Sequence, residues 1–179
     1  MDLQSKSYMP EVQDRTIIVT LEQDLKTALT KKVPGTFEFI FCSLGEGELR
    51  IGDSWQVFRQ GDVMITGPEF QSAINFNGKK KSTGPKLILY RLSFLVSSGW
   101  KEFIDLTDNT WVSYLLQQAD QGLHIRGDHY NELDKLLRQL HTKGENINTS
   151  LFLRYLREIF ELQNRTGMAL IKPKISDNI

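Results

Sequence analysis

The sequence predicts a mostly β protein followed by C-terminal α-helices, and three observations predict it. Residues 37–67 are short apolar or alternating runs separated by glycine-bearing turns, the spacing of an all-β sandwich or barrel. Residues 130–160 carry apolar side chains at helical spacing, bracketed by capping and breaking residues. The chain has 179 residues, 40% of them hydrophobic and 25% charged, which is enough for one domain with its own core.

Taken in order, residues 16–21 read as a strand and residues 31–35 as a loop leading into the first strong strand. That strand runs from Phe37 through Glu38, Phe39, Ile40 and Phe41 to Cys42, and is aromatic and β-branched. Gly45, Glu46 and Gly47 turn the chain, residues 48–51 alternate, and Gly52, Asp53 and Ser54 turn it again. Residues 55–58 form another short strand, closed by Gln60, Gly61 and Asp62. Residues 63–66 come next, broken by Gly67 and Pro68. A loop over 77–85 leads into a longer strand over 87–94.

Helices occupy the second half. A short one holds Trp111, Leu115, Leu116 and Ala119. Asp128 caps a helix to about Lys143 with a stripe of Tyr130, Leu133, Leu136, Leu137 and Leu140, and Gly144 ends it. Asn148 or Thr149 caps another, with Leu151, Phe152, Tyr155, Leu156, Ile159 and Phe160 apolar before Gly167 and Pro173. The expected division is 1–100 barrel, 101–171 helical segment and 172–179 linker tail.

Composition excludes several functions. Lys plus Arg and Asp plus Glu both number 22, so the broad positive field of a nucleic-acid-binding surface is absent. The lone Cys42 rules out an internal disulfide and a cysteine zinc site. The first residues lack a signal-peptide apolar core, and the longest apolar stretch, 87–96, is interrupted by Arg91 and Ser93. The cytoplasm is the default location.

Motifs for chemistry are equally sparse. His124, His129 and His141 lack the spacing that puts two imidazoles on one metal, and read as surface residues. Cys42 lies inside a strand as a packing residue, and no nucleophile elbow occurs. Gly45–Gly47 lacks the lysine and following helix of a phosphate loop. Lys79, Lys80 and Lys81 read as a solvated hairpin tip. No catalytic residue, cofactor or metal is expected.

Polar residues within apolar runs are more informative: Glu38, Arg50, Asn75 and Arg91. Arg91 has two readings of equal weight. It faces the interior, where a ligand's hydroxyls or carboxylate pair with it, or it faces outward and bonds a neighbour such as Glu38 or Glu48.

The succession of Phe37–Phe41, Gly45–Gly47, Gly61-Asp62-Val63-Met64-Ile65 and Gly67-Pro68 resembles the N-terminal cupin-type domain of AraC-family transcription regulators. The strand over 87–94, the element Gly122-Leu123-His124-Ile125 and the helical stretches 133–140 and 151–160 resemble the later elements of the domain in that family. The resemblance covers about residues 30–165. It implies a cupin-like double-stranded β-helix, a jelly-roll barrel, followed by a helix pair. It implies a sensor of a small polar effector, often a sugar in this family, with an arm within residues 1–12 closing over it. It matches Gln71 and Arg91 to positions close to the ligand pocket, and with Glu38 and Asn75 from the polar set above these are the expected ligand-binding residues. The implied homodimer interface holds Leu133, Leu136, Leu137, Leu140 and Leu156.

The positions matching the metal histidines of cupin enzymes are Lys32, Pro34 and Gln71, so metal-dependent oxygenase or isomerase chemistry is not expected. DNA contact is expected only through C-terminal helix-turn-helix units that this chain does not contain. Residues 172–174 resemble the linker toward them. Two alternatives stand beside the sensor: a stand-alone cupin, such as a sugar isomerase, and a purely structural dimerisation module with a filled barrel.

Overall fold

The computed structural model describes residues 17–23, 28–29, 34–51, 54–70, 74–78, 87–96, 98–127, 130–143, 149–166 and 169–170. The strands are β1 (Ile17–Gln23), β2 (Ala28–Leu29), β3 (Thr36–Leu44), β4 (Glu46–Ile51), β5 (Ser54–Arg59), β6 (Val63–Thr66), β7 (Ile74–Gly78), β8 (Ile88–Leu95), β9 (Leu123–Ile125) and β10 (Ala169–Leu170). The helices are α1 (Ser98–Ile104), α2 (Thr110–Ala119), α3 (Tyr130–Lys143) and α4 (Thr149–Thr166).

A six-stranded sheet has the order β1-β8-β3-β6-β9-β10, and a four-stranded sheet the order β2-β7-β4-β5. Every described pairing is antiparallel. The architecture is the expected one, mostly β with a C-terminal helix pair. Among the described residues no ladder joins the two sheets into a closed barrel.

The turn between β5 and β6 shows how local sequence sets the layout. Gly61 takes φ 91°, a left-handed conformation that costs glycine little. Its N–H donates to the Cys42 carbonyl at 2.8 Å, tying the turn to β3. Strand alternation then sorts the large sheet into two faces. Phe37, Phe39 and Phe41 of β3, Val63 and Ile65 of β6, and Tyr90, Leu92 and Phe94 of β8 share one core with the helices. On the opposite face, Ile40, Cys42, Met64 and Leu89 pack with Leu49 and Phe58 of the smaller sheet.

The helices cover the first face. Trp100 of α1 packs edge-on against Phe94 and Phe152, and Tyr155 of α4 edge-on against Phe39. Ser43 donates to Asp134 of α3 at 2.5 Å, and Arg138 holds the same carboxylate at 2.6 Å. Leu133, Leu136, Leu137, Leu140 and Leu156 are all buried within this single chain, at 1% exposure or less. The stripe read as a dimer interface is therefore spent on the sheet, and these side chains have no surface to offer a second copy.

Two glycines mark places where chain lies directly on chain. A Cβ at Gly67 would collide with Asp120 at the end of α2, and the Gly67 N–H donates to the Ala119 carbonyl at 2.7 Å. A Cβ at Gly127 would collide with the Gly61 carbonyl. No described helix is long and apolar enough to cross a membrane.

Candidate functional site

The face of the large sheet that looks toward the small sheet is divided along its length. One part is the apolar cluster of Ile40, Cys42, Leu49, Phe58, Met64, Phe70, Leu87 and Leu89. The other part is polar. Ser93 of β8 and Thr66 of β6 stand opposite Glu38 of β3 on either side, so a row Ser93–Glu38–Thr66 crosses three strands. Alternation puts all three on the inner face, since Phe37, Ile65 and Phe94 beside them belong to the helix-side core. All three are buried.

Arg91 lies on the same face, between Leu89 and Ser93. Its Nη2 donates to Glu38 Oε1 at 2.7 Å, and its Nη1 lies 3.5 Å from Glu22 Oε1 of β1. Glu38 is 1% exposed, Arg91 13% and Glu22 22%, so the cluster is buried at Glu38 and opens to solvent toward β1. Neither reading of Arg91 holds unmodified. It faces inward, as the ligand reading required, and it is paired with Glu38, as the alternative required. A charge-assisted bond of this length offsets part of the desolvation of both groups. Arg91 therefore has a structural partner before any ligand arrives.

Of the other expected binding residues, Gln71 lies outside the described residues. Asn75 sits on β7, in register with Leu29 and Arg50, with its side chain outside the description. Residues 1–16, Lys32, the basic run 79–81, Asp128, His129, Gly144, Asn148 and the tail 172–179 also lie outside it. Thr66, Ser93 and Glu22 were missed from sequence. The period-2 pattern of 88–95 held a signal for Ser93, which shares the parity of Arg91.

His124 corrects the surface reading of the histidines. It is 4% exposed on β9, with Nδ1 2.9 Å from Gln56 Oε1 of the small sheet and Nε2 3.1 Å from Asp62 Oδ2. Asp62 also accepts the Arg59 N–H at 3.0 Å and the Gly127 N–H at 3.4 Å. This cluster clasps the two sheets at the β5–β6 turn. His141 is exposed and meets Tyr90 edge-on.

Cys42 is fully buried, and its thiol is pushed up to about 12, first by burial and then by the Asp62 charge. A nucleophilic cysteine needs the opposite shift, so Cys42 is a packing residue. Among the described residues no three of His, Cys, Asp and Glu gather into a metal site.

The arrangement so far defines a class of fold: two facing antiparallel sheets with a helix pair over one of them, and a charged cluster between the sheets. Among solved structures it is similar to ToxT from Vibrio cholerae O395, with a TM-score of 0.55, 12% identity, and coverage of 92% of this chain and 60% of that one. ToxT bound to (E)-4-(8-methylnaphthalen-1-yl)but-3-enoic acid gives 0.55, 11%, 90% and 61%. The AraC-like transcriptional activator CuxR superposes less closely, at 0.44, 8%, 82% and 46%. This chain thus spans about three-fifths of the ToxT chain it matches. No protein-family model and no curated protein matches the sequence. At these identities the likeness establishes the fold.

Proposed function

We propose that the chain is the ligand-sensing part of an AraC-type transcription regulator, taking a small polar molecule at the charged end of the face between its sheets. The observation that carries this reading is the Ser93–Glu38–Thr66 row with Arg91 beside it, polar groups gathered on a face that could have been wholly apolar. The ToxT fold supports an effector site as such, since ToxT is seen with a naphthalenyl butenoic acid bound, while the polar character proposed for the ligand rests on the residues of this chain alone. Glu38 accepts hydrogen bonds, Arg91 donates them and the two hydroxyls do both. Such a set suits a hydroxyl-bearing ligand, sugars among them. The reading includes no catalysis, and DNA contact only through units beyond this chain.

A homodimer is part of the reading, moved from the buried leucines to the α2–α4 side, where the exposed Tyr114 adjoins the half-buried Trp111 and Phe160. There Tyr114 is 45% exposed, and Arg157 lies over Trp111 and Phe160 at 5.2 and 5.7 Å. Light scattering of Tyr114→Glu against the parent tests it: a smaller particle supports the interface, and an unchanged one removes it.

A thermal-shift screen of sugars, sugar acids and polyols tests the sensor. It compares the parent with the double variant Arg91→Met/Glu38→Leu, which removes both charges together. A ligand that binds only the folded state raises the parent's melting temperature. That rise should vanish in the double variant, and an equal rise in both proteins would move the site elsewhere. One observation favours the structural-module reading: Ile40, Cys42, Leu49, Phe58 and Met64 are at most 1% exposed, and so are Glu38 and Thr66, so the inner face is closed except toward Arg91 and Glu22. A parent unshifted by the whole panel would decide for that reading.

A further inference from the structure

Among the described residues, three buried side-chain atoms that could hydrogen-bond have no partner at all: Thr66 Oγ1, Trp100 Nε1 and Tyr155 Oη. Trp100 and Tyr155 lie among the aromatic rings of the helix-side core. Thr66 differs. It is 0% exposed, it lies on the inner face, and it stands directly opposite Glu38, whose carboxylate is held by Arg91. A hydroxyl in that position has charged neighbours and still makes no hydrogen bond among the described residues. A buried polar atom left unsatisfied costs free energy that its folded environment normally offsets.

We infer that Thr66 is the specificity-determining residue of the proposed site. Its hydroxyl waits for a neutral, hydroxyl-bearing ligand head that bonds Thr66 and donates to Glu38. A plain carboxylate head fits less well, because Glu38 and Glu22 already place two negative charges against one guanidinium. The inference deepens the sensor reading and rests on it. A site built around a hydroxyl discriminates against analogues that lack one, because its own polar groups are then left unpaired.

The test compares the parent with Thr66→Val and Thr66→Ser, and has two arms. The first reads the free protein. If Thr66 bonds nothing in the fold, Thr66→Val should melt within about 2 °C of the parent. A drop well beyond that would show the hydroxyl at work inside the fold and overturn the assignment. The second arm uses glycerol, ribitol, xylose and galactose as hydroxyl probes, with octanoate as the carboxylate probe. The expected result is that a hydroxyl probe binds the parent, binds Thr66→Val about 5- to 20-fold more weakly, and recovers in Thr66→Ser. Equal binding to parent and Thr66→Val, or octanoate as the sole binder, overturns the role of Thr66 and leaves the sensor reading standing. A panel that shifts none of the three proteins overturns both.

Discussion

Toward the helices, β3 presents Phe37, Phe39 and Phe41, and β8 presents Tyr90, Leu92 and Phe94. Toward the small sheet the same two strands present Glu38, Ile40 and Cys42, and Leu89, Arg91 and Ser93. The first face is apolar apart from the Ser43–Asp134 bond to α3, and is sealed by rings and leucines from the helices. The second mixes a filled apolar half with a charged half that reaches solvent. Apolar burial is the cheaper way to stabilise a sheet, and a buried ion pair is often no better than a hydrophobic replacement. The charged half is thus poorly explained by stability alone.

The sharpest way to break this contrast is to charge the apolar side. Leu136→Glu with Leu140→Glu places two carboxylates where both leucines are essentially inaccessible. Each costs several kcal/mol against a typical total of roughly 5–15. The protein should lose its cooperative unfolding transition by circular dichroism, whereas folded monomers would return the stripe to an interface.

Next in size is Arg91→Met alone. It takes the guanidinium away from the buried Glu38 carboxylate and should cost about 3–5 kcal/mol in urea denaturation, most of it recovered by adding Glu38→Leu. Failure of the second substitution to rescue would show that Glu38 does not depend on this partner. Asp62→Ala removes the acceptor for His124 and for two backbone N–H groups, and should cost about 1–3 kcal/mol by the same measurement.

The smallest effects are on the titrating groups of the two cores. The folded Cys42 thiol holds its proton to about 12, against an ordinary value of 9.0. The unfolded chain releases that proton first, so its contribution is intact below pH 9 and is lost as pH rises from there toward 12. Burial shifts Tyr155 in the same direction. Cys42→Ala should flatten part of the alkaline slope of stability. Tyr155→Phe deletes an unpartnered hydroxyl, and should change stability at neutral pH by less than about 1 kcal/mol.

Much of the fold was legible because its signals are local. Alternation and glycine turns placed β3 to β6 and β8, and helical spacing placed α2, α3 and α4 to within a few residues. What escaped is non-local. The leucine stripe told which side of α3 is apolar, and nothing in its period says whether a sheet or a second chain covers it. β9 is three residues long, too short for a pattern, so His124 could not be seen to be buried. α1 escaped because seven residues hold too few turns to show a period. In the site, the parity of Arg91 was readable, but its bond to Glu38 spans 53 positions and exists only once β8 lies beside β3. Thr66 gave no signal at all, since a threonine ending a strand is ordinary.

The two chain-on-chain glycines carry a warning for anyone reading variation at this site. Gly67 and Gly127 lie outside the helices and strands, where substitutions are usually tolerated. Here neither position admits even a methyl group, because another stretch of backbone or side chain already occupies the space. A saturation library would report both as intolerant, and Gly67 would look like part of the binding chemistry because it adjoins Thr66. Its intolerance would be that of a crossing point, silent about ligands. Only position 66, where valine fits as well as threonine, separates the demands of recognition from those of room.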